Sequence, residues 1–600
     1  MTGTASASSA ARRPTAIRRV LGFAGKHRAL LVVVGALAVA IALDWSWLDR
    51  FRDGYVVDID EAGYVATAFD LSSALGDGAL SDFHDRFQHH GPAAAPLVPT
   101  LTTPIHLVLG EGIMQSYLVQ SLLLILLAAC VWGISRRFVS PGWAALAVIV
   151  VLGTPELIDY ARTYHLVLAP TALFAASLYA LLRSERLQHR SWALAWGAAM
   201  GLAALARTMV VGFLPGLVLA AVVGAWTARE PRRERLVNLS LGLALSVALA
   251  ALWWLENWRD VLDYLAGGGF GDALRENREP DAPARGPSAL LTQELTDVLN
   301  TLYVPLALVL GIALVAGGIA WRRRTPPGTR DRIVRFARSE AALLAIPSIA
   351  GFVVLLAVKT PGTGFSLPLL PPLVVLAVAG IARMPRGAPR AALATALTGL
   401  AIFNTAVKSG HFEGISGRVA VDPPRLAEWV VTDGQGVIQR YVTGTADYGE
   451  TDPTEPLAPV HRRWLPYSAD LAQWLLGYAK AHGRRPIAMF GELDLLHNTN
   501  TLALGAQLRD RRLVTGRLLA IRYGDSVAAY RRQLEEPEFG QPNFLILTEP
   551  PPRRVARPVS PERAAAAARA LGFEPVRSLR LPDGRRGKVL WLERGPVLDG

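Results

Sequence analysis

Eleven strongly apolar segments lie before residue 407, and they constrain the fold more than any other feature of the chain. About 20 mostly apolar residues in a helix cross the roughly 30 Å hydrocarbon core of a bilayer. The sequence therefore predicts a polytopic α-helical membrane protein with about eleven transmembrane helices. The predicted spans are 29–48, 113–134, 141–158, 164–182, 191–206, 208–226, 236–255, 301–321, 341–358, 365–382 and 390–407.

The basic residues are concentrated in every second connection between the predicted spans. Connections on the side of the N-terminal tail, residues 1–28, carry 25 Lys and Arg residues, and the opposite connections carry ten. Cytoplasmic loops of membrane proteins are enriched in Lys and Arg, so the tail is predicted to be cytoplasmic and the protein to lie in the plasma membrane. The net charge of +13 is then mainly a topology signal and does not indicate a nucleic-acid partner. An odd number of spans places residues 408–600 outside.

Residues 408–600 have the pattern of a soluble extracytoplasmic α/β domain. Short β-like runs are separated by amphipathic helical stretches. The runs are 486–491, 543–548, 575–581 and 588–593, and the helical stretches are 467–482, 524–536 and 561–571. Asp494, His497 and Asn498 follow the first run, where they are either ligand-binding side chains or a helix cap. We expect this domain to pack on the first external loop or to engage an acceptor.

The first external loop, residues 49–112, is long and acidic. Its centre, Asp58-Ile59-Asp60-Glu61, precedes a helical pattern. Carboxylates at a helix N-terminus are favoured by capping and by the helix dipole, so these residues are either structural or part of a site. The Asp-x-Asp spacing also leaves open a divalent cation held by Asp58 and Asp60. The apolar stretch 97–109 is too short to span and is predicted to lie along the membrane surface.

Several motifs together resemble the lipid-dependent glycosyltransferases of the GT-C superfamily, and most closely the branch of protein O-mannosyltransferases and aminoarabinose transferases. Each motif alone is degenerate, but their order and their side of the membrane agree over residues 29–382. The motifs are Asp60-Glu61-Ala62-Gly63-Tyr64, the Pro-Leu surface helix 97–109, Tyr160-Ala161-Arg162-Thr163, Gly201 to Arg207, and Lys359 followed by Leu367-Pro368 and Pro371-Pro372.

The resemblance implies a donor sugar on a polyprenyl phosphate and transfer to a protein, lipid or polysaccharide acceptor on the outer face. It implies that the catalytic carboxylate is among Asp58, Asp60 and Glu61, with Asp60 matching best. The implied phosphate-binding residues are Arg162, Arg207, Lys359 and His90, the last standing where the family branch often has a lysine. No cofactor is required by such a reaction.

Two other classes of protein compete with this interpretation. A transporter or flippase of a lipid or cell-envelope glycan would be expected to show internal repeats and polar residues at mid-membrane. A membrane anchor that displays the C-terminal domain would not need so many spans. The single cysteine, Cys130, excludes an intramolecular disulfide and a zinc site built on several thiolates.

Overall fold

A computed structural model gives the fold of this chain. It describes residues 16–52, 56, 58–89, 91, 94–228, 232–270, 287–323, 329–358, 364–410, 416–419, 429–433, 461–491, 496–509, 513–517, 525–535, 541–549, 560–594 and 597.

Of the residues before 411 that the structure describes, all those in regular structure are helical. Adjacent helices approach closely where glycine permits it: a Cβ on Gly197 would lie 2.0 Å from the carbonyl oxygen of Gly242. The helices are α1 Ala16–Arg52, α2 Ile59–Gly76, α3 Leu80–Gln88, α4 Leu97–Leu109, α5 Ile113–Ser116, α6 Leu118–Phe138, α7 Pro141–Leu152, α8 Pro155–Ala161, α9 Leu168–Arg183, α10 Arg190–Ala206, α11 Leu214–Thr227, α12 Arg232–Tyr264, α13 Pro287–Leu302, α14 Val304–Arg323, α15 Thr329–Ala337, α16 Glu340–Ala357, α17 Leu370–Arg383 and α18 Ala388–Lys408.

Each of the eleven predicted spans coincides with a helix or with a pair of helices. Among the described residues, seven helical segments are long and apolar enough to cross a membrane, and the pair α7 and α8, bent by 66°, makes eight if it is one span. Helices α9, α10 and α17, the last with the 3₁₀ turn Leu367–Leu369, account for the other three segments but are shorter. The multi-helical membrane fold is confirmed, whereas the number eleven stays a prediction.

The C-terminal part is an α/β domain, as predicted. A five-stranded mixed sheet has the order β4-β3-β5-β7-β6, in which β3 pairs in parallel with β4 and β5 while β7 runs antiparallel to β5 and β6. A separate antiparallel pair, β1 and β2, lies closer to the membrane helices in sequence. The strands are β1 Ser416–Val419, β2 Trp429–Asp433, β3 Ile487–Phe490, β4 Val514–Arg517, β5 Phe544–Glu549, β6 Glu574–Arg580 and β7 Arg586–Trp591, and the helices are α19 Trp464–Ala481, α20 Thr499–Gln507, α21 Val527–Glu535 and α22 Pro561–Ala570.

The C-terminal domain contacts the first external loop directly. Helix α20 packs on α2, and the Asn500 amide nitrogen donates to the carbonyl oxygen of Ile59 at 2.8 Å. A second polar contact joins the Val430 amide to Asn300 Oδ1 at 3.0 Å. The loop and the domain therefore lie on the same side of the membrane, as the even number of predicted spans between them, ten, requires.

Candidate active site

Helix α2 begins at the acidic centre of the first loop because Asp58 caps it. Asp58 has an extended backbone, and its Oδ1 accepts a hydrogen bond from the Glu61 amide at 2.8 Å. This satisfies one of the amide donors that a helix N-terminus leaves without a partner. For Asp58 the structural role considered from the sequence is therefore observed.

The other Asp58 oxygen faces a histidine from the connection between α8 and α9. His165 Nε2 lies 3.3 Å from Asp58 Oδ2, and both side chains are largely buried. Burial raises the pKa of Asp58, but His165, the Glu61 amide and Arg52 outweigh it, so this pKa is held below its ordinary value. Burial lowers the pKa of His165, yet the neighbouring carboxylates, Asp58 first among them, raise it above its ordinary value. Both pKa shifts favour the charged form of the group, so each group stabilises the charge on the other.

Glu61 is fully buried and its carboxylate is saturated by donors. Its Oε1 accepts from the Tyr117 hydroxyl at 2.8 Å and from the Tyr164 amide at 2.7 Å. Its Oε2 pairs with the buried Arg52 guanidinium, which also donates to the Tyr117 hydroxyl at 2.6 Å. A carboxylate held in this way ties the loop to α1 and α6 and has no access to a substrate.

Asp60 differs from both neighbouring acids because its side chain is exposed at the start of α2. One turn further on, burial raises the pKa of the Tyr64 phenol, the Asp60 charge raises it further, and Arg207 opposes the rise. Charges act on a group in this way only at short range, so Asp60 and Arg207 both lie in the neighbourhood of this phenol.

Arg207 lies at a break between two helices and lines a cavity. Helix α10 ends at Ala206, and a 3₁₀ turn, Thr208–Phe213, leads into α11. The cavity has a volume of about 140 Å³, and its walls are almost entirely apolar apart from Arg207. The guanidinium carbon lies 4.5 Å from the centroid of the Phe365 ring, which belongs to the same cavity wall. In the part of the chain that the structure describes, Arg207 is the one cation that lines this apolar cavity.

Arg162 occupies a different environment from Arg207. It is buried, its Nε donates to Asp44 Oδ1 at 2.7 Å, and its Nη1 donates to the carbonyl oxygen of Lys408. The Lys408 ammonium in turn lies 2.8 Å from both carboxylate oxygens of Asp159. This network joins α1, α8 and α18, so a phosphate would have to displace Asp44 to use Arg162. Lys359 and His90 lie outside the described residues.

Sequence reasoning did not identify His165, Tyr117 or Arg52 as parts of this region. Arg52 lies in the predicted loop, but only the fold shows that it is buried against Glu61. His165 follows the Tyr-Ala-Arg-Thr motif by two residues, which is the one signal that pointed toward it.

The two aspartates of the Asp-x-Asp motif are engaged differently, one in a cap and one exposed. Within the described ranges, no group of three or more His, Cys, Asp or Glu side chains is arranged to hold a metal ion. A divalent cation at Asp58 and Asp60 stays a prediction.

Comparison with known proteins supports the predicted resemblance. The profile of a family described as "Dolichyl-phosphate-mannose-protein mannosyltransferase" matches residues 91–254. No curated protein matches the chain in sequence. Among solved structures, ArnT from Cupriavidus metallidurans in the apo state is similar with a TM-score of 0.54 and 17% identity, covering 93% of this chain and 97% of that one.

The same enzyme bound to undecaprenyl phosphate gives a TM-score of 0.53 at 17% identity and the same coverage. The archaeal oligosaccharyltransferase AglB from Archaeoglobus fulgidus, in complex with an inhibitory peptide and a dolichol-phosphate, gives 0.52 at 10% identity, with 88% of this chain and 70% of that chain covered. At these identities the likeness is one of fold.

Proposed function

We propose that this chain, which has the fold of the GT-C membrane glycosyltransferases, transfers a sugar from a polyprenyl-phosphate donor to an acceptor hydroxyl on the outer face of the membrane. The observation that supports the proposal is an exposed carboxylate, Asp60, and a cavity-lining cation, Arg207, both close enough to Tyr64 for their charges to act on it. One group is suited to accept a proton and the other to bind a phosphate.

The cavity beside Arg207 suits a lipid-linked donor better than a soluble nucleotide sugar. Its walls offer aliphatic and aromatic side chains, Val210, Phe213 and Leu355 among them, which pack against isoprene units. Arg207, the one cation among the described residues that line it, can bind a monophosphate through charge-assisted hydrogen bonds. The similar structure of ArnT was solved with undecaprenyl phosphate, which is a lipid of this class.

The three acids of this motif differ in their accessibility to a substrate, and this difference decides which of them can act as the base. Asp58 caps the helix and Glu61 is saturated, so neither is free to take a proton from an acceptor. Asp60 is exposed, and a carboxylate there accepts the hydroxyl proton as the oxygen attacks the anomeric carbon. The bond from that carbon to the phosphate oxygen breaks, and Arg207 stabilises the charge on the departing lipid phosphate.

The test is incubation of the purified full-length protein with radiolabelled polyprenyl-phosphate mannose or arabinose and a cell-envelope extract. Transfer by the wild type, and a loss of roughly 10²- to 10⁴-fold in Asp60→Asn, is expected for removal of a general base. The variant should keep the thermal stability of the wild type, because Asp60 is exposed. Turnover of a soluble nucleotide sugar, with none of the lipid-linked donors, would refute the donor class.

A further inference from the structure

Helix α20 of the C-terminal domain makes a hydrogen bond to one backbone carbonyl group of the first external loop. The Asn500 Nδ2 atom donates to the carbonyl oxygen of Ile59 at 2.8 Å, across 441 positions of sequence. Ile59 directly precedes Asp60 in the first turn of α2. The contact between the two parts of the molecule therefore lies one residue away from the proposed base.

The close approach depends on glycine at position 63. A Cβ built on Gly63 would lie 2.7 Å from Asn500 Nδ2 and 3.2 Å from Asn500 Cγ. The third atom near it is Asn500 Cβ, at an ordinary contact distance of 3.8 Å. Any side chain at position 63 would thus displace the asparagine amide from the Ile59 carbonyl.

The Asn500 side chain is itself fixed by the start of its own helix. Asn498 caps α20, its Oδ1 accepting from the amides of Asn500 and Thr501 at 2.9 Å each. The Thr499 hydroxyl donates to Asn500 Oδ1 at 3.3 Å, so the amide nitrogen is the atom directed at Ile59. The donor is therefore held in place before it meets α2.

From the other side, the membrane part holds the residues that flank Asp60. Asp58 pairs with His165, and Glu61 accepts from Tyr117 and the Tyr164 amide. The first turn of α2 therefore contacts both the membrane helices and the C-terminal domain. The Asp60 side chain, which lies between these two sets of contacts, is exposed.

We propose that Asn500 is a positioning residue through which the C-terminal domain sets the place of Asp60. The proposal rests on the proposed function for the role of Asp60, but the physical coupling is measurable without any substrate. Without the contact, the first turn of α2 opens more often and the carboxylate spends less time at the donor. The C-terminal domain is then part of the catalytic unit.

Hydrogen exchange in the purified full-length protein measures the coupling. Asn500→Ala should increase exchange of the amides at 60–66 about fivefold, the factor expected for one lost hydrogen bond, and leave α9 unchanged. An aspartate at position 500 has nearly the same volume as asparagine but no donor toward Ile59. Asn500→Asp should therefore increase the exchange of these amides at least as much as Asn500→Ala does. The control is Asn300→Ala, which removes the hydrogen bond to the Val430 amide, a contact that does not involve α2, and should leave these amides unchanged. Unchanged exchange in both Asn500 variants would overturn the proposal.

A double-mutant cycle tests whether Gly63 and Asn500 act as one contact. Gly63→Ala alone should increase exchange as Asn500→Ala does, because the methyl group displaces the amide. In the Asn500→Ala background the same methyl meets only the Cβ at position 500, so it should add little. Additive effects in the cycle would show that the two residues are independent, which the proposal forbids.

The transfer assay separates this proposal from the one on which it rests. If the wild type transfers sugar, Asn500→Ala and Asn500→Asp should lower kcat several-fold with little change in the KM for the donor, while Asn300→Ala keeps wild-type kcat. Faster exchange with unchanged kcat would overturn the positioning role while leaving the proposed function intact. A wild type inactive with every lipid-linked donor would refute the proposed function, and a positive exchange cycle would still support the coupling.

Discussion

At the scale of single residues, three neighbouring acids in one loop have three different physical roles. Asp58 caps α2 and pairs with His165, whereas Asp60 is exposed. Glu61 is buried, and its carboxylate accepts several hydrogen bonds. The acidic motif predicted that a functional carboxylate lies here. The resemblance favoured Asp60, but nothing in the sequence showed that Glu61 is buried and paired, because its partners Arg52 and Tyr117 reach it only through the fold.

These different roles predict that two conservative substitutions change the stability of the protein by very different amounts. Glu61→Gln leaves the buried Arg52 guanidinium without its counter-charge and should destabilise the protein by about 3–5 kcal/mol. Asp60→Asn changes an exposed side chain and should change stability by less than about 0.5 kcal/mol. Thermal unfolding of the purified variants checks the difference. Equal losses of stability would contradict the roles assigned here.

The pair of Asp58 and His165 predicts a pH dependence of stability. The pKa of His165 is raised, so its contribution is complete below the ordinary value of about 6.5 and is lost as pH rises through the raised value. The pKa of Asp58 is lowered, so its contribution is complete above about 4 and is lost only as pH falls through the lowered value. His165→Gln should therefore lower the Tm most at about pH 5–6 and less toward pH 9.

The control for the pH series is His84→Gln. His84 is an exposed residue of α3, and its Nε2 atom lies 3.8 Å from a carboxylate oxygen of the exposed Glu256. Its substitution should change the Tm little at any pH. A His165→Gln difference that stays constant from about pH 5 to pH 9 would show that His165 is not charged when paired with Asp58.

At the scale of elements, the break between α10 and α11 forms one wall of the cavity beside Arg207. The sequence separated these two spans at Arg207 and Thr208, and the structure shows a 3₁₀ turn there, Thr208–Phe213, whose residues line the cavity. The apolar pattern predicted both helices because hydrophobicity alone decides membrane insertion. The cavity was not predictable, because its other wall comes from Val354, Phe365 and Pro368, more than 140 residues away along the chain.

Substitution of Arg207 should weaken lipid-phosphate binding specifically. Arg207→Gln removes a charge-assisted contact and should raise the Kd for a polyprenyl phosphate about 10- to 100-fold. Val211→Trp, which places an indole in the apolar wall, should weaken the same binding without changing the charge. Titration with a polyprenyl phosphate, followed by tryptophan fluorescence, measures the Kd of wild type and Arg207→Gln, and calorimetry measures that of Val211→Trp.

The matched control for Arg207 is Arg259→Gln. Arg259 is an exposed arginine on α12 that contacts the Trp258 ring and does not line the cavity. Its substitution should leave the Kd unchanged. Equal weakening by both arginine substitutions would indicate general attraction of an anionic lipid and would refute a site at Arg207.

The C-terminal elements show where local patterns suffice and where they do not. Strands β3, β5, β6 and β7 were predicted because each is an apolar or alternating run between turn residues. Strand β4, Val514–Arg517, and helix α20, Thr499–Gln507, were missed. Both are short, and α20 opens with the polar sequence Thr-Asn-Thr, whose role becomes clear only where it meets α2.

At the scale of the whole molecule, charge parity and the contact of α20 with α2 agree. The basic loops predicted that the first external loop and the C-terminal domain share one side, and the hydrogen bond from Asn500 to Ile59 requires it. The direction of insertion follows from the 25 basic residues on the opposite side. On this prediction the acidic loop, the cavity edge and the α/β domain all face the compartment outside the cytoplasm.

Cysteine labelling in sealed right-side-out membrane vesicles tests this orientation. The one native cysteine, Cys130, is buried in α6 and is replaced by alanine to give a clean background. Single cysteines are then placed at three exposed positions: Asp82 in the first loop, Arg569 in the C-terminal domain and Arg335 in the connection between α14 and α16. An impermeant maleimide should label Asp82→Cys and Arg569→Cys at once, and Arg335→Cys only after detergent opens the vesicles. The reverse pattern would invert the topology. Labelling of Asp82→Cys and Arg569→Cys from opposite sides would be incompatible with the Asn500 contact. The C-terminal domain could then not pack beside Asp60.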